Sequence, residues 1–299
     1  MSESGCFSLD IASLPDPAEK PVAVPLGADL AVIRAEGADT LPFFNRVFTN
    51  RVEKIGEGAM ISGWADAKGR LIAAPRLVRA APDALYLIVP KDTAEALAKK
   101  LRMYIFRSKV TLSDAGEAAA PAGLLGTEEG VTAALAAAGA ELPEAAWGVS
   151  KAEGLTAVRL PDVKEEVPAL GAARVRVLLL GTAGAIAKTG AAEADQTGLW
   201  WLSEIAARVP SVFAGSVGKF IPQGIALDEL GGVSFNKGCY PGQELIARVH
   251  NHPEKFGKKL AFVRTKDEVL AAGADCEAGV AVEAVRIGDE TFALMQVAA

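Results

Sequence analysis

At 299 residues, 51% of them hydrophobic, the chain is long enough to bury a sizeable core in two or three domains. A net charge of -6 and a pI near 5.2 exclude a broad basic field, and with it electrostatically driven binding to long nucleic acid, while leaving local contacts open. The N-terminus MSESGCFSLD lacks the basic-then-apolar pattern of a secretory signal, and the strongest apolar run, VLLLGTAGAIA at 177–187, is too short to cross a bilayer, so a cytoplasmic protein without a membrane partner is expected.

In chain order, residues 29–35 (DLAVIRA) alternate as a strand, and after Gly37 the stretch from Asp39 to Val47 reads as a capped helix. Residues 59–90 give three short strand-like runs separated by DAKG and APDA turns, a meander. Leu97, Leu101, Tyr104 and Ile105 then recur at helical spacing, which predicts an amphipathic helix over Thr93 to Phe106 covering one sheet face; KVTLSD returns as a strand. The Ala/Gly/Pro-rich region at 115–150 reads as a weakly specified helix with loops, after which GLTAVRL and ARVRVLLL resume strand character. TGLWWLSEIAARVP is another helix, in which at most one of Trp200 and Trp201 is expected to face the core, the other being free for an interface or ligand. From residue 256 onward only strands and turns are expected, as a small barrel or sheet.

Cysteines at 6, 239 and 276 are odd in number and widely spaced, so they do not form a disulfide framework. Cys239 stands in VSFNKGCYPGQELIARV, where an extended run enters a loop through Gly238 and leaves it through Pro241-Gly242 into a helix. The helix N-terminus and Lys237 would both favour thiolate over thiol, giving a reactive or metal-binding group. The other reading is a small buried hydrophobe, the common fate of a free cysteine. Residue chemistry alone leaves both open.

His250 and His252 would point the same way if extended, but two imidazoles do not make a zinc site, and exposed loop histidines are the reading preferred. VRVLLLGTAGAIAKTG mimics a phosphate loop, yet Ala187 and Thr182 stand where that motif needs glycine, which rejects a nucleoside triphosphatase.

IPQGIALDELGGVSFNKGCYPGQELIARV resembles the signature of the folate-binding YgfZ family, relatives of the glycine-cleavage T-protein, whose hallmark K-G-C-Y-x-G-Q-E is matched at every fixed position from Lys237 to Glu244. FFNRVFTNRV is similar to the family's F-L-x-x-x-x-T-N-D-V segment, with Arg51 in the aspartate's place; ADAKGRLIAAPRL is similar to its D-x-K-G-R turn, and LRMYIFRSKVTLSD to its helix-to-strand passage. The resemblance covers residues 28–114 and 197–262.

It implies an α+β fold of two intertwined ferredoxin-like αβ lobes plus a small C-terminal β-barrel, three lobes around a central pocket. The expected divisions are 1–114 with 197–255 for the folate-binding region, 115–196 for the second αβ region and 256–299 for the barrel. The implied cofactor is tetrahydrofolate or a derivative, with Trp64, Asp66, Lys68, Arg70, Lys237, Tyr240, Gln243, Glu244 and Arg248 as its binding residues. The implied function is support of iron-sulfur cluster assembly or repair in client enzymes, including tRNA-modifying ones, through Cys239 as the reacting thiol or a transient cluster ligand. Partners would be folate and iron-sulfur assembly proteins or clients, without direct nucleic acid.

The alternative is a folate-dependent aminomethyltransferase of the T-protein type, with Asp66 or Glu244 handling the proton. Against it, Ala73 and Ala74 fall where such transferases carry G-G-x-I-D-D carboxylates, and alanine neither orients an amine nor moves a proton. An accessory protein is therefore favoured over an enzyme. In a third reading, the loop is purely structural in a ligand-binding module.

Overall fold

The computed structural model describes residues 4–10, 16–190, 196–266 and 271–299. Strands β1 (Cys6–Leu9), β2 (Val22–Pro25) and β3 (Leu30–Glu36) lead to helix α1 (Thr40–Val47). Next come β4 (Ala59–Ile61), β5 (Trp64–Ala65), β6 (Leu71–Ala73), β7 (Arg76–Ala81), β8 (Ala84–Pro90), α2 (Lys91–Tyr104) and β9 (Thr111–Asp114). A second stretch holds β10 (Ala120–Gly126), α3 (Glu128–Ala137), β11 (Val149–Ala152), β12 (Leu155–Arg159), β13 (Val175–Gly181) and α4 (Ala183–Ala187). Helices α5 (Thr197–Ala207) and α6 (Gln243–Asn251) precede β14 (Lys258–Thr265), β15 (Asp275–Cys276), β16 (Gly279–Ile287) and β17 (Glu290–Ala298).

The fold is mixed α/β. An antiparallel sheet of order β4-β7-β8-β3-β9 buries both faces. Alternation along β3 sends Ile33 toward Phe43, Phe44 and Phe48 of the α1 region and Leu97 and Leu101 of α2, while Val32 joins the central core. The second sheet, β11-β12-β13-β10-β2, is built likewise: Val177 and Leu179 face Val131 and Leu135 of α3, whereas Leu178 and Leu180 face the centre. The C-terminal sheet runs β1-β16-β17-β14 with β15 on β16, and β5 pairs only with β6.

Strand pairing divides the N-terminal residues differently from the expected boundaries. β1 lies parallel to β16 and β2 antiparallel to β10, so the first 25 residues serve the C-terminal and second sheets. Four-residue strands carry too little periodicity to reveal such partners.

Helix α5 lies at the centre and is buried from Gly198 to Ala207, as its apolar residues on every side require. Both tryptophans are therefore core residues, correcting the expectation that one would be free. Trp201 stacks on Phe7 with ring centroids 4.6 Å apart, and Trp200 lies so close to Gly123 that a Cβ there would come within 2.1 Å of the indole. Around this helix, Arg76 of β7 and Arg176 of β13 both reach Glu204, at 2.7 and 2.8 Å, with Glu283 of β16 buried in the same charge cluster. Among the described residues no helix is long and apolar enough to cross a membrane.

Candidate functional site

The segment FFNRVFTNRV builds the platform for the cysteine loop. Thr49 donates its hydroxyl to Gly232 O at 2.7 Å and accepts from Gly63 N, while Asn50 Nδ2 donates to Gly231 O and Ile61 O. Arg51, in the aspartate's place, donates its guanidinium to Asn236 O. Three consecutive side chains thus hold residues 231–236 against the first sheet.

Lys237 completes the attachment. Its Nζ donates to Asn45 O, Phe48 O and Asn50 O at 2.5, 2.6 and 2.7 Å, satisfying carbonyls at and beyond the C-terminus of α1. It also sits 5.1 Å from the Tyr240 ring centroid. Burial pushes the ammonium down to about 8, with Glu53 opposing and Arg51 reinforcing the shift. The charge is turned toward α1, so Lys237 is a clasp rather than a free cation for a ligand or the thiol.

Beyond the clasp the chain bulges outward. Gly238 and Cys239 are exposed, which excludes the buried-hydrophobe reading. Tyr240 turns back into a small cluster with Ala65, Val233 and Ile246, where burial pushes its phenol up to about 12. At Gly242 the backbone is left-handed (φ 79°), and a Cβ would lie 2.4 Å from Asp66 O and 2.6 Å from Gly69 Cα. Only glycine permits this backbone-on-backbone contact, which docks the cysteine loop on the DAKG turn as helix α6 begins.

That turn is internally satisfied: Asp66 Oδ1 accepts from Lys68 N at 2.8 Å and Arg70 N at 2.9 Å. Lys68 is exposed, and Arg70 donates to Gly218 O and Lys219 O. Gln243 is half-buried in the first turn of α6, where Glu244 and Arg248 form an exposed i,i+4 pair at 3.4 Å. Trp64 is fully buried, edge-on to Tyr104 at 5.4 Å, and presents no ring to a ligand. The two segments read from the sequence therefore meet, but Trp64, Lys237 and Tyr240 pack behind the thiol instead of lining a cavity.

His250 and His252 do not form an extended pair. His250 ends α6 with its ring stacked 3.6 Å from that of Phe235, and His252 caps the helix beside Glu254. Among the described residues no group of three or more His, Cys, Asp and Glu side chains is placed to hold a metal ion. Cys6 and Cys276 belong to the C-terminal sheet, apart from Cys239.

A cavity of about 620 Å³ opens where α6, the segment after α5 and β14 converge. Leu230, Val249, Phe256 and Leu260 give it apolar surface, Lys164, Arg208, Lys258 and Lys259 basic groups, and Asp228 and Glu229 acceptors. A smaller one of about 180 Å³ shares Val249, Phe256 and Lys258 with it and adds Arg70. The large cavity escaped sequence reading; its only local signal was the Lys258-Lys259 pair opening β14.

No protein-family model matches the chain. Two curated proteins named tRNA-modifying protein YgfZ, from Shigella sonnei (strain Ss046) and Escherichia coli O139:H28 (strain E24377A / ETEC), are each 32% identical over 226 residues. Each match covers 74% of this chain and 65% of the relative's own length. Among solved structures, the glycine cleavage system aminomethyltransferase T from Bartonella henselae superposes with a TM-score of 0.66 over 95% of this chain and 80% of that one; at 14% identity the likeness concerns the fold alone.

Proposed function

The chain belongs with the YgfZ/GcvT-like proteins in sequence and fold, and from that premise we propose that it is a cytoplasmic, tetrahydrofolate-binding accessory protein that supports iron-sulfur cluster assembly or repair in client enzymes through Cys239. The observation that carries this reading is the presentation of the thiol: Cys239 is exposed on a loop braced from behind by Lys237 and from the side by the DAKG turn. Such a loop can offer sulfur to a partner without rearranging. Iron-sulfur clusters take about four protein thiolates, so the cluster is cargo whose remaining ligands come from the partner. The relatives' name points to tRNA-modifying enzymes among the clients.

For the cofactor we propose the 620 Å³ cavity, whose size and mixture of apolar and polar lining suit a drug-sized ligand. Asp228 and Glu229 would accept from pterin N–H groups, Phe256 and Leu260 would pack on the ring system, and Lys258, Lys259 and Lys164 would hold the acidic tail. A reduced folate supplies an oxidisable pterin that carries one-carbon units. The finer architecture, two ferredoxin-like lobes and a closed C-terminal barrel around a central opening, belongs to the same proposal.

The aminomethyltransferase reading is favoured by the fold of the Bartonella enzyme but meets an obstacle in the site. Ala73 and Ala74 place buried methyl groups where that chemistry needs carboxylates, while Asp66 is engaged by backbone N–H groups and Glu244 stands exposed beside Arg248. The wild-type protein is expected to bind reduced folate by calorimetry yet release no ammonia from an aminomethyl-loaded carrier protein. Cys239→Ala should retain folate binding and fold but lower iron-sulfur client activity in cells. Full client activity with the variant would overturn the role given to the thiol, and robust turnover would restore the transferase.

A further inference from the structure

The end of helix α2 is chemically unlike the rest of this acidic chain. Residues 99–109, KKLRMYIFRSK, hold Lys99, Lys100, Arg102, Arg107 and Lys109 without one acidic residue, in a chain of net charge -6. Among the described residues none of these five forms an ion pair with a carboxylate. Arg46, exposed on the last turn of α1, adds a sixth cation, 3.4 Å from Ser108.

Between the cations stand large apolar side chains open to solvent: Met103 is 69%, Tyr104 47% and Phe106 87% exposed. They dominate the exposed large hydrophobics of the described residues. Cations gather at a helix C-terminus because they complement its dipole, but that does not account for uncovered aromatic rings. The rings are held in place. Tyr104 packs edge-on against the buried Trp64, over which Lys100 Nζ lies 5.7 Å from the ring, and Arg107 lies 5.5 Å from the Phe106 centroid.

We infer that this surface binds single-stranded RNA, with bases stacking on Phe106 and Tyr104 and phosphates meeting the surrounding lysines and arginines. Aromatic rings interleaved with cations form a stacking platform that needs unpaired bases. Three of the five cations are lysines, a residue depleted at protein interfaces but suited to phosphates, which favours RNA over an acidic protein. The overall negative charge confines binding to this tip and rules against a long duplex. The surface also communicates with the cysteine loop: Trp64 lies 6.4 Å from the Phe48 ring, and Phe48 O accepts from Lys237.

The test is fluorescence anisotropy of the full chain with a labelled single-stranded RNA of about 10 nucleotides, in low and moderate salt. Binding should weaken as salt rises. Phe106→Ala should reduce affinity about tenfold, the effect of losing one base stack. Lys99→Ala combined with Arg107→Ala should flatten the salt slope by roughly two. Lys54→Ala, an exposed cation on a different segment, should change neither. Because Phe106 is exposed, circular dichroism of its variant should match the wild type. Absence of binding at low salt, or binding indifferent to Phe106→Ala, would overturn the proposal. An acidic peptide that displaces the RNA and itself loses affinity with Phe106→Ala would assign the surface to a protein partner instead.

Discussion

Lys237 shows how a single residue changes meaning between sequence and structure. Two positions from a cysteine it reads as an electrostatic activator or a ligand-binding cation; folded, its three protons go to Asn45 O, Phe48 O and Asn50 O. Lys237→Met keeps the apolar stem but leaves those carbonyls without their donor, which should cost about 1–3 kcal/mol in urea denaturation. It should also loosen residues 237–240, read as faster amide exchange there. A variant as stable and protected as the wild type would show that solvent replaces the ammonium. The exposure of Cys239 was legible because glycines and a Pro-Gly turn force the chain outward. The partners of Lys237 were not, since they lie almost two hundred positions upstream and only the fold brings them near. Trp64 was misjudged for the same reason: beside a turn it resembles a ligand wall, but Phe48 and Tyr104 enclose it.

Elements were read most reliably where periodicity is long. The expected helix over 93–106 is α2 at Lys91–Tyr104, and the helix expected from Asp39 starts at Thr40, although the Asp39 carboxylate accepts from Lys109 N at 2.7 Å instead of capping the helix. β10 was hidden in the Ala/Gly/Pro-rich region, where small residues blur alternation but let Trp200 close on Gly123. The junction of the DAKG turn with α6 gives this scale its prediction. Gly242→Ala would place a side chain in a left-handed conformation, costing about 1–2 kcal/mol before the overlap with Asp66 O is counted. The expected outcome is lower stability together with faster tryptic cleavage after Lys68 and Arg70, as the turn lifts off the loop. Cleavage at the wild-type rate would mean that the two segments are held by other contacts.

At the scale of the molecule, three sheets converge on one buried cluster of charges. Arg76 comes from the first sheet, Arg176 from the second and Glu283 from the C-terminal one, all around Glu204 of the central helix. A sequence shows such residues only as scattered charges in otherwise apolar strands. Removing Glu204 alone would leave two buried guanidinium groups unpaired, so Glu204→Ala should lose about 3–5 kcal/mol and weaken the association of all three sheets. Glu283 behaves differently. Burial raises its carboxyl well above the usual range, Glu204 adds to the rise, and Arg76 and Arg176 oppose it. The unfolded chain releases this proton near pH 4.3, while the folded chain holds it to higher pH, so the contribution is full below that value and is lost as pH rises through the folded one. Glu283→Gln keeps the shape without the titration. Its stability relative to the wild type should therefore increase steadily from about pH 4.3 upward, measured by urea denaturation at successive pH values. A difference that is flat across that range, or that shrinks, would show that Glu283 is ionised in the fold and that the two arginines, not burial, decide its charge.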